Sequence, residues 1–458
     1  MTVGAQVLAE RALTDRALDL ARAWCAIPSV KGNAAGLKRQ ARALTDWLRA
    51  ELGAEIVSAV SSRGRPPVIQ ARVDVGATNT VILYNMYDVM PAEAAGWQVA
   101  PFEGGIVDLD GVGPAFVARG AENNKGPLAG MLAVVKDLAD RGALGVNVEI
   151  LLDGEEESGS GALRDYLGDP DCPVRPALGG LFPSFCEYGG GPPRLYLGFS
   201  GIAKGRIRVA GGDWGGPSAA IHSSNAPWIA NPASRLVEAL ALFGRPPTGR
   251  LGAIELDDEA RALVAELAAT FDPDAELRFR KTARYAMGGD AEPLLAHVLT
   301  TASATISSLA TDPADGDAVI PRSAEAGFDL RCPPGFDPAT FIEAYRRRLD
   351  EEGLDGVVLD VADAYPGHRF GRHSAGAAAL VAAYAQTCAT PQIWPWAIGA
   401  APAYAFAPYV GSFLIGGAGR GGNAHGVDEF LALEGYPRFL KSVELWLGAM
   451  GRAGGGEA

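Results

Sequence analysis

The feature that most constrains this chain is an apolar run that stops dead at a block of acids. Val146, Val148, Ile150, Leu151 and Leu152 read as a largely buried strand, with Asn147 and Glu149 making part of one face polar. Asp153-Gly154 then leads into Glu155-Glu156-Glu157 and Ser158-Gly159-Ser160. Three adjacent carboxylates at a strand end repel one another. They need a metal ion, a basic partner or retained protons, unless the stretch is simply a solvated acidic loop. Active sites of α/β folds lie at the carboxyl ends of strands, which favours a chemical role.

The 458 residues exceed one ordinary core, so two domains are expected. Net charge is −14, which argues against nucleic acid or an anionic membrane as partner. Cys25, Cys172, Cys186, Cys332 and Cys388 are scattered and form no CxxC, so neither a disulfide framework nor a zinc knuckle is indicated. Reduced thiols and an N-terminus without a signal-type apolar core lead to the expectation of a cytoplasmic protein, and no stretch is apolar enough to span a membrane.

Along the chain, helical periodicity runs over residues 5–24, 36–52, 128–141, 338–352, 374–388 and 435–450. Short strands are expected at 57–60, 68–73, 81–84, 194–197 and 413–415. Near Gly198 the pattern changes, because 203–209 and 324–331 alternate as half-exposed antiparallel strands do. This implies a mixed-sheet α/β catalytic-type domain, residues 1–201 and 366–458, interrupted by a smaller α+β sandwich at 202–365. The Gly-rich stretch 416–422 lacks GxxxxGK[ST] and is not a phosphate loop.

Several stretches then stand in a telling order. They are Asn85-Met86-Tyr87-Asp88-Val89-Met90-Pro91, Arg119 to Gly126, Asp153 to Ser160, His222-Ser223-Ser224 and Ala424-His425-Gly426-Val427-Asp428-Glu429. Together they resemble the dinuclear zinc amidohydrolase/peptidase family of carnosinases, glutamate carboxypeptidase, aminoacylase, acetylornithine deacetylase and succinyl-diaminopimelate desuccinylase. Family members carry G-H-x-D-V-x-P, R-G-x-x-D-x-K-G, E-G-x-E-E-x-G-S, H-S-G and A-H-x-x-N-E in that order. The resemblance implies a zinc-exopeptidase-like catalytic domain, an inserted lid and dimerisation domain, and a homodimer in which His222 reaches across the interface.

The resemblance breaks at the metal. By position, the first histidine ligand becomes Met86 and the bridging aspartate becomes Asn123. The loop aspartate falls on Ser184, with Cys186 and Glu187 as alternatives. Glu157 and His425 remain as the residual metal candidates. A thioether, an amide and a hydroxyl do not hold Zn²⁺ against water. No cofactor is therefore expected, or at most one weakly bound zinc.

Glu156 stands at the family's general-base position, and Asp88 no longer has a histidine ligand to orient. Crowded, desolvated carboxyls retain protons, so Glu156, Asp88 and His222 are the catalytic candidates. Lys125 is a possible counter-charge. Arg331, Asn123, Lys125, Trp396 and Gly399 are the substrate-binding candidates, the last two from a stretch that has lost the family's Arg and hydroxyl. Aromatics from Trp394 to Tyr409 would make a bulkier apolar pocket or be ordinary core.

Three readings follow: a metal-independent acid/base enzyme on a small amide- or carboxylate-bearing substrate, a one-metal amidohydrolase, and a non-catalytic binder.

Overall fold

Glu149 interrupts the apolar strand, yet it is fully buried. Its carboxylate is held by Arg72 Nε at 2.7 Å, Arg175 Nε at 2.6 Å and Gln70 Nε2 at 2.7 Å. Asn147 is buried too, its Oδ1 accepting from the backbone N–H groups of Val75 and Ala77 at 3.0 and 3.1 Å. The face read as polar is therefore an interior one whose polar groups are satisfied, as burial requires. The computed structural model describes residues 3–59, 64–244, 250–314, 316–387 and 390–453.

That strand, Asn147–Asp153, lies within an eight-stranded mixed sheet. The order is Glu55–Ser58, Ile69–Val73, Asn147–Asp153, Thr80–Met86, Gly179–Pro183, Phe413–Gly416, Arg194–Tyr196, Gln392–Trp394. Asn147–Asp153, Thr80–Met86, Gly179–Pro183 and Phe413–Gly416 run parallel, so Met86, Asp153, Pro183 and Gly416 end on one edge. Ile82, Leu83, Ile150 and Leu151 are fully buried. Each such side chain removed from water stabilises the layer by about 1.5–3 kcal/mol. Helices Val3–Cys25, Lys125–Asp140, Ala375–Thr387 and Tyr436–Arg452 contribute Ala17, Leu132, Leu380 and Trp446 to one large cluster against this sheet.

Most expected elements are present with shifted ends. Asn33 starts the second helix, Ala34–Ala50, by accepting the Gly36 N–H at 3.0 Å. Val60 and Cys388, from an expected strand and helix, lie outside the described residues. The Pro/Gly-rich stretch after residue 167 conceals the buried strand Gly179–Pro183, too short and too glycine-rich to show a period. A four-stranded sheet of Gly105–Leu109, Gly113–Val117, Phe430–Ala432 and Gly421–Gly422 also escaped periodicity, because its strands are two to five residues long.

A second large sheet holds the smaller sandwich. Gly198–Ala210 is a 13-residue strand that leaves the first unit and pairs with Ser323–Cys332 on one side and Val357–Tyr365 on the other. Helices Pro232–Phe243 and Pro338–Glu351 cover it through Phe243, Phe328 and Tyr345. Helices Asp258–Ala268 and Ala291–Thr300 do not join this core. They pack Val264 and Leu295 on Trp394, Trp396 and Tyr196 at the edge of the eight-stranded sheet.

Candidate active site

The strand edge carrying Met86 and Asp153 gathers the acids. After Asp153 the chain makes a short 3₁₀ turn, Glu156–Ser158. Asp88, 2 % exposed, closes that turn: its Oδ1 accepts the Glu156 N–H and its Oδ2 the Glu157 N–H, both at 3.1 Å. Asp153 Oδ1 accepts the Glu155 N–H at 2.9 Å. Both carboxyls are thereby aimed into one turn, bringing Asp88, Asp153, Glu156 and Glu157 together.

Burial, then the charges of Asp153 and Glu157, push the Asp88 carboxyl well above the usual range. Burial, then Glu157 and Asp88, does the same to Glu156. Burial raises Asp153 to about 6. The physical cause is the same throughout: an anion leaves water and meets like charges.

Asn123 meets this turn from the other side. Its Nδ2 donates to Glu157 Oε1 at 2.9 Å and lies 3.1 Å from His425 Nε2, which is itself 3.1 Å from Glu157 Oε1. The Glu157 hydrogen bond raises the His425 imidazole above its ordinary range. The Asn123 loop is held by Glu429, whose Oε1 accepts the N–H groups of Glu122 and Asn123 at 3.0 and 2.8 Å. Glu429 Oε2 meets Arg119 Nη1 at 2.5 Å, a pair buried on both sides. Arg119 and Glu429 stand in the two motifs that flank the site, but nothing in their spacing pairs them; only the fold does. Glu122, beside them, has no signal in the sequence, and its buried carboxyl is raised to about 8 by burial and by Glu429.

The remaining family ligand positions are closed by other contacts. Met86 is 1 % exposed and packs in a cluster with Tyr84, Leu151 and Phe182. Ser184 Oγ donates to Asn124 Oδ1 at 3.2 Å, and Asn124 Nδ2 donates to Asn85 Oδ1 and the Pro183 carbonyl at 2.8 and 3.0 Å. Of the alternatives to Ser184, Cys186 packs with Tyr196 and Trp394, and Glu187 pairs with Arg438 at 2.6 Å.

This donor set does not fit a dinuclear zinc centre. Such a centre needs anionic and imidazole ligands with a bridging carboxylate. Here Asn123 turns its amide nitrogen towards Glu157. Its oxygen in that place would face a carboxylate oxygen at hydrogen-bonding distance. Among the described residues, no three His, Cys, Asp or Glu side chains assemble as a metal-holding group.

Several expected site residues make contacts of their own rather than with the acids. Lys125 is fully buried and donates from Nζ to the Trp24 and Ile27 carbonyls at 2.9 and 2.7 Å, tying down the first helix end. Trp396, 3 % exposed, packs in the cluster against the inserted helices, and Trp394 packs beside it. These two tryptophans therefore fill core, while Phe406 packs with Tyr84 and Phe413 and Tyr404 stacks on Tyr365. Gly399 is exposed on strand Ala397–Ala400 beside Ser200. Arg331 is half exposed on the sandwich and paired with Asp329 at 2.8 Å. His222 sits on a two-stranded ribbon with Val319–Ile320, its Nδ1 2.9 Å from Ser224 Oγ. Among the described residues no hydrogen bond joins His222 to the acids.

Two clefts flank the site. One of about 980 Å³ runs along the Gly421–Ala424 loop next to His425, between Arg420 and helix Pro273–Phe279. One of about 450 Å³ reaches Asp88 from the sandwich side.

Residues 82–449 match the model of peptidase family M20/M25/M40. The chain belongs to that family. Its fold is similar to a metallo-carboxypeptidase of that family, Sso-CP2 from Sulfolobus solfataricus (TM-score 0.83, 24 % identity, 95 % of this chain and 99 % of that one). It is equally similar to the di-peptidase Dug1p from Saccharomyces cerevisiae (TM-score 0.82, 20 % identity, 98 % of both chains). Among curated proteins, the human Beta-Ala-His dipeptidase is 39 % identical over 105 residues, 22 % of this chain and 20 % of that protein's length. The alignment with that relative thus spans a fifth of it. A Cysteinylglycine-S-conjugate dipeptidase from Corynebacterium striatum is 24 % identical over 341 residues, 69 % of this chain and 68 % of that protein. The resemblance read from the motifs is therefore correct at the level of family and fold. Among the described residues, no helix of this M20 member is long and apolar enough to cross a membrane.

Proposed function

We propose that this M20 member makes or breaks an amide bond in a small amide- or carboxylate-bearing molecule, without a dinuclear metal centre, using Glu156 as acid/base. The observation that carries this reading is the Asn123 amide N–H donated to Glu157 beside His425, where the family resemblance calls for a bridging aspartate. An N–H donor there satisfies the carboxylate that a cation would otherwise neutralise.

In the hydrolytic direction the ionised form of Glu156, made strongly basic by its surroundings, takes a proton from the attacking water as the C–O bond forms. It then delivers that proton to the departing nitrogen as the C–N bond breaks. Acyl transfer to an amine, or amide formation, uses the same proton relay. Asp88 positions Glu156 through the turn's N–H groups. His222, supplied by the second copy in a homodimer of the family type, polarises the carbonyl. The dipeptidase relatives make dipeptides and N-acyl amino acids the first substrates to try. Location in the cytoplasm, and division of the chain at about 202 and 365, belong to the same proposal.

The convergence of Glu157, His425 and Asn123 supports a second reading, in which one metal binds there. Metal content by elemental analysis, with turnover measured with and without EDTA, separates the two. No metal and turnover abolished in Glu156→Gln is the expected result. About two metals per chain overturns the proposal, and about one with EDTA-sensitive turnover establishes the second reading. Absence of metal and turnover across those substrates leaves a binding protein as the better description.

A further inference from the structure

The acid turn is gripped from two sides. Its N–H groups are held within the first unit: Glu156 and Glu157 donate to Asp88, and Ser158 and Gly159 donate to the carbonyls of Glu155 and Glu156 at 3.0 and 2.8 Å. Its later carbonyls face the other way. Ser158 accepts from Lys204 Nζ at 2.8 Å, and Gly159 accepts from Arg164 Nε at 3.1 Å. Lys204 lies on the long sandwich strand Gly198–Ala210. Arg164 lies on the short helix Gly161–Leu167 after the turn, but its Nη2 donates to Asp363 Oδ1 of the sandwich at 2.6 Å, in a pair largely buried on both sides. Both carbonyl contacts therefore lead back to the sandwich.

Lys204 and Asp363 stand opposite each other on neighbouring strands, and the register shifts between Val361 and Asp363. Such a bulge re-aims a side chain. Gly159 shows how closely the pair meets the turn. Its φ of 105° is open to glycine, and a Cβ there would fall on Asp363 Oδ2, with Lys204 Nζ 3.4 Å from the same point. That Oδ2 is buried and makes no hydrogen bond among the described residues. Its charge pulls on the Lys204 ammonium. A carbonyl held by an ammonium, and that ammonium held by a carboxylate, make a stiff link between the sandwich and the turn.

We propose that Lys204 and Asp363 are positioning residues through which the sandwich holds the turn that presents Glu156. The acid/base is then set in place by the docked sandwich as well as by Asp88 of its own unit. This rests on Glu156 being the acid/base. Neither Lys204 nor Asp363 is asked to touch the substrate. A proton carrier displaced by about 1 Å loses up to ~10²-fold in rate, so holding the turn is a catalytic contribution.

The test is hydrogen exchange by mass spectrometry on the full-length chain. It reads the peptide over residues 155–160 and, as reference, the strand Ser323–Cys332 on the other side of Gly198–Ala210. Lys204→Met keeps the side-chain stem and removes the donor. It should speed exchange of the turn by ~10-fold and leave the reference strand unchanged. Asp363→Asn, which keeps an oxygen for Arg164 but loses the charge, should speed it by ~3-fold. Lys204→Arg, which still donates, should restore the parent rate. With Ala-Ala and N-acetylalanine as probes, kcat should fall by at least ~10-fold in Lys204→Met while KM stays unchanged. Turn exchange unmoved in both Lys204→Met and Asp363→Asn overturns the proposal. Equal acceleration of turn and reference strand also overturns it, because only the sandwich has then loosened. A raised KM at unchanged kcat makes Lys204 a substrate contact and overturns it too. A loosened turn with turnover that Glu156→Gln leaves intact sinks the acid/base reading and spares the grip on the turn. Turnover abolished by Glu156→Gln with the turn unmoved does the reverse.

Discussion

Asn123 Nδ2 donates to Glu157 Oε1 at 2.9 Å, with His425 Nε2 3.1 Å from each of those atoms. The carboxylate oxygen takes up the amide N–H, and His425 Nε2 either donates to that same oxygen or accepts from the amide, one role excluding the other.

Asn123→Asp should undo it. A carboxylate against Glu157, with Glu122 and Glu429 close by, loses a donor and gains repulsion. The expected loss is about 1–3 kcal/mol in metal-free buffer. Added zinc should raise the melting temperature of a Met86→His/Asn123→Asp/Ser184→Asp variant and leave the parent protein unmoved, since only a folded-state ligand stabilises. Scanning fluorimetry with and without zinc reads both. A parent protein stabilised by zinc as strongly as the triple variant contradicts the donor-set argument.

Glu156→Gln removes the proton carrier while keeping the shape of the side chain. Turnover should fall by roughly 10²–10⁴-fold in kcat with little change in KM. The fold should survive, because the acid removed is one whose charged form the site disfavours. Steady-state kinetics with a melting curve on the same sample checks both halves.

Asp153 gives a pH signature. Its folded carboxyl sits at about 6, above the ordinary value of 3.8, so the folded state binds more protons between those limits. This contribution is fully present below about pH 4 and is lost as pH rises through 6. Asp88 and Glu156 act in the same direction. Asp153→Asn keeps an oxygen for the Glu155 N–H and removes the titration. Its melting temperature relative to the parent should therefore rise between pH 5 and pH 8. A difference constant across that range counts against the site's crowding.

The Arg119–Glu429 pair carries a stability prediction. Glu429→Ala leaves a guanidinium that is 3 % exposed without its partner and frees the N–H groups of Glu122 and Asn123. A loss of about 3–5 kcal/mol is expected by denaturant titration. Glu429→Gln, which retains an acceptor oxygen, should cost clearly less. Equal losses would mean that packing rather than the charge holds the loop.

Much of this was legible in the residues themselves. The apolar run 146–152 places a buried strand under the acids, because a strand covered on both faces needs little alternation. The motifs stand in family order, and the replaced ligands are read at Met86 and Asn123 directly from their positions. Side-chain chemistry at a motif position does not depend on knowing the fold.

What the tertiary structure decided is which way side chains face. Lys125 stands in a site motif, yet its ammonium turns to the carbonyls at the end of the first helix, about a hundred residues earlier. Trp396 lies in a substrate-binding stretch, yet the inserted helices cover it. Lys204 belongs to a half-exposed strand of the sandwich, yet it is the lysine bonded to the glutamate turn. Local periodicity sets burial and element type. The partner of a charged or aromatic group is set by contacts between segments far apart in the chain, and those exist only once the two sheets have docked.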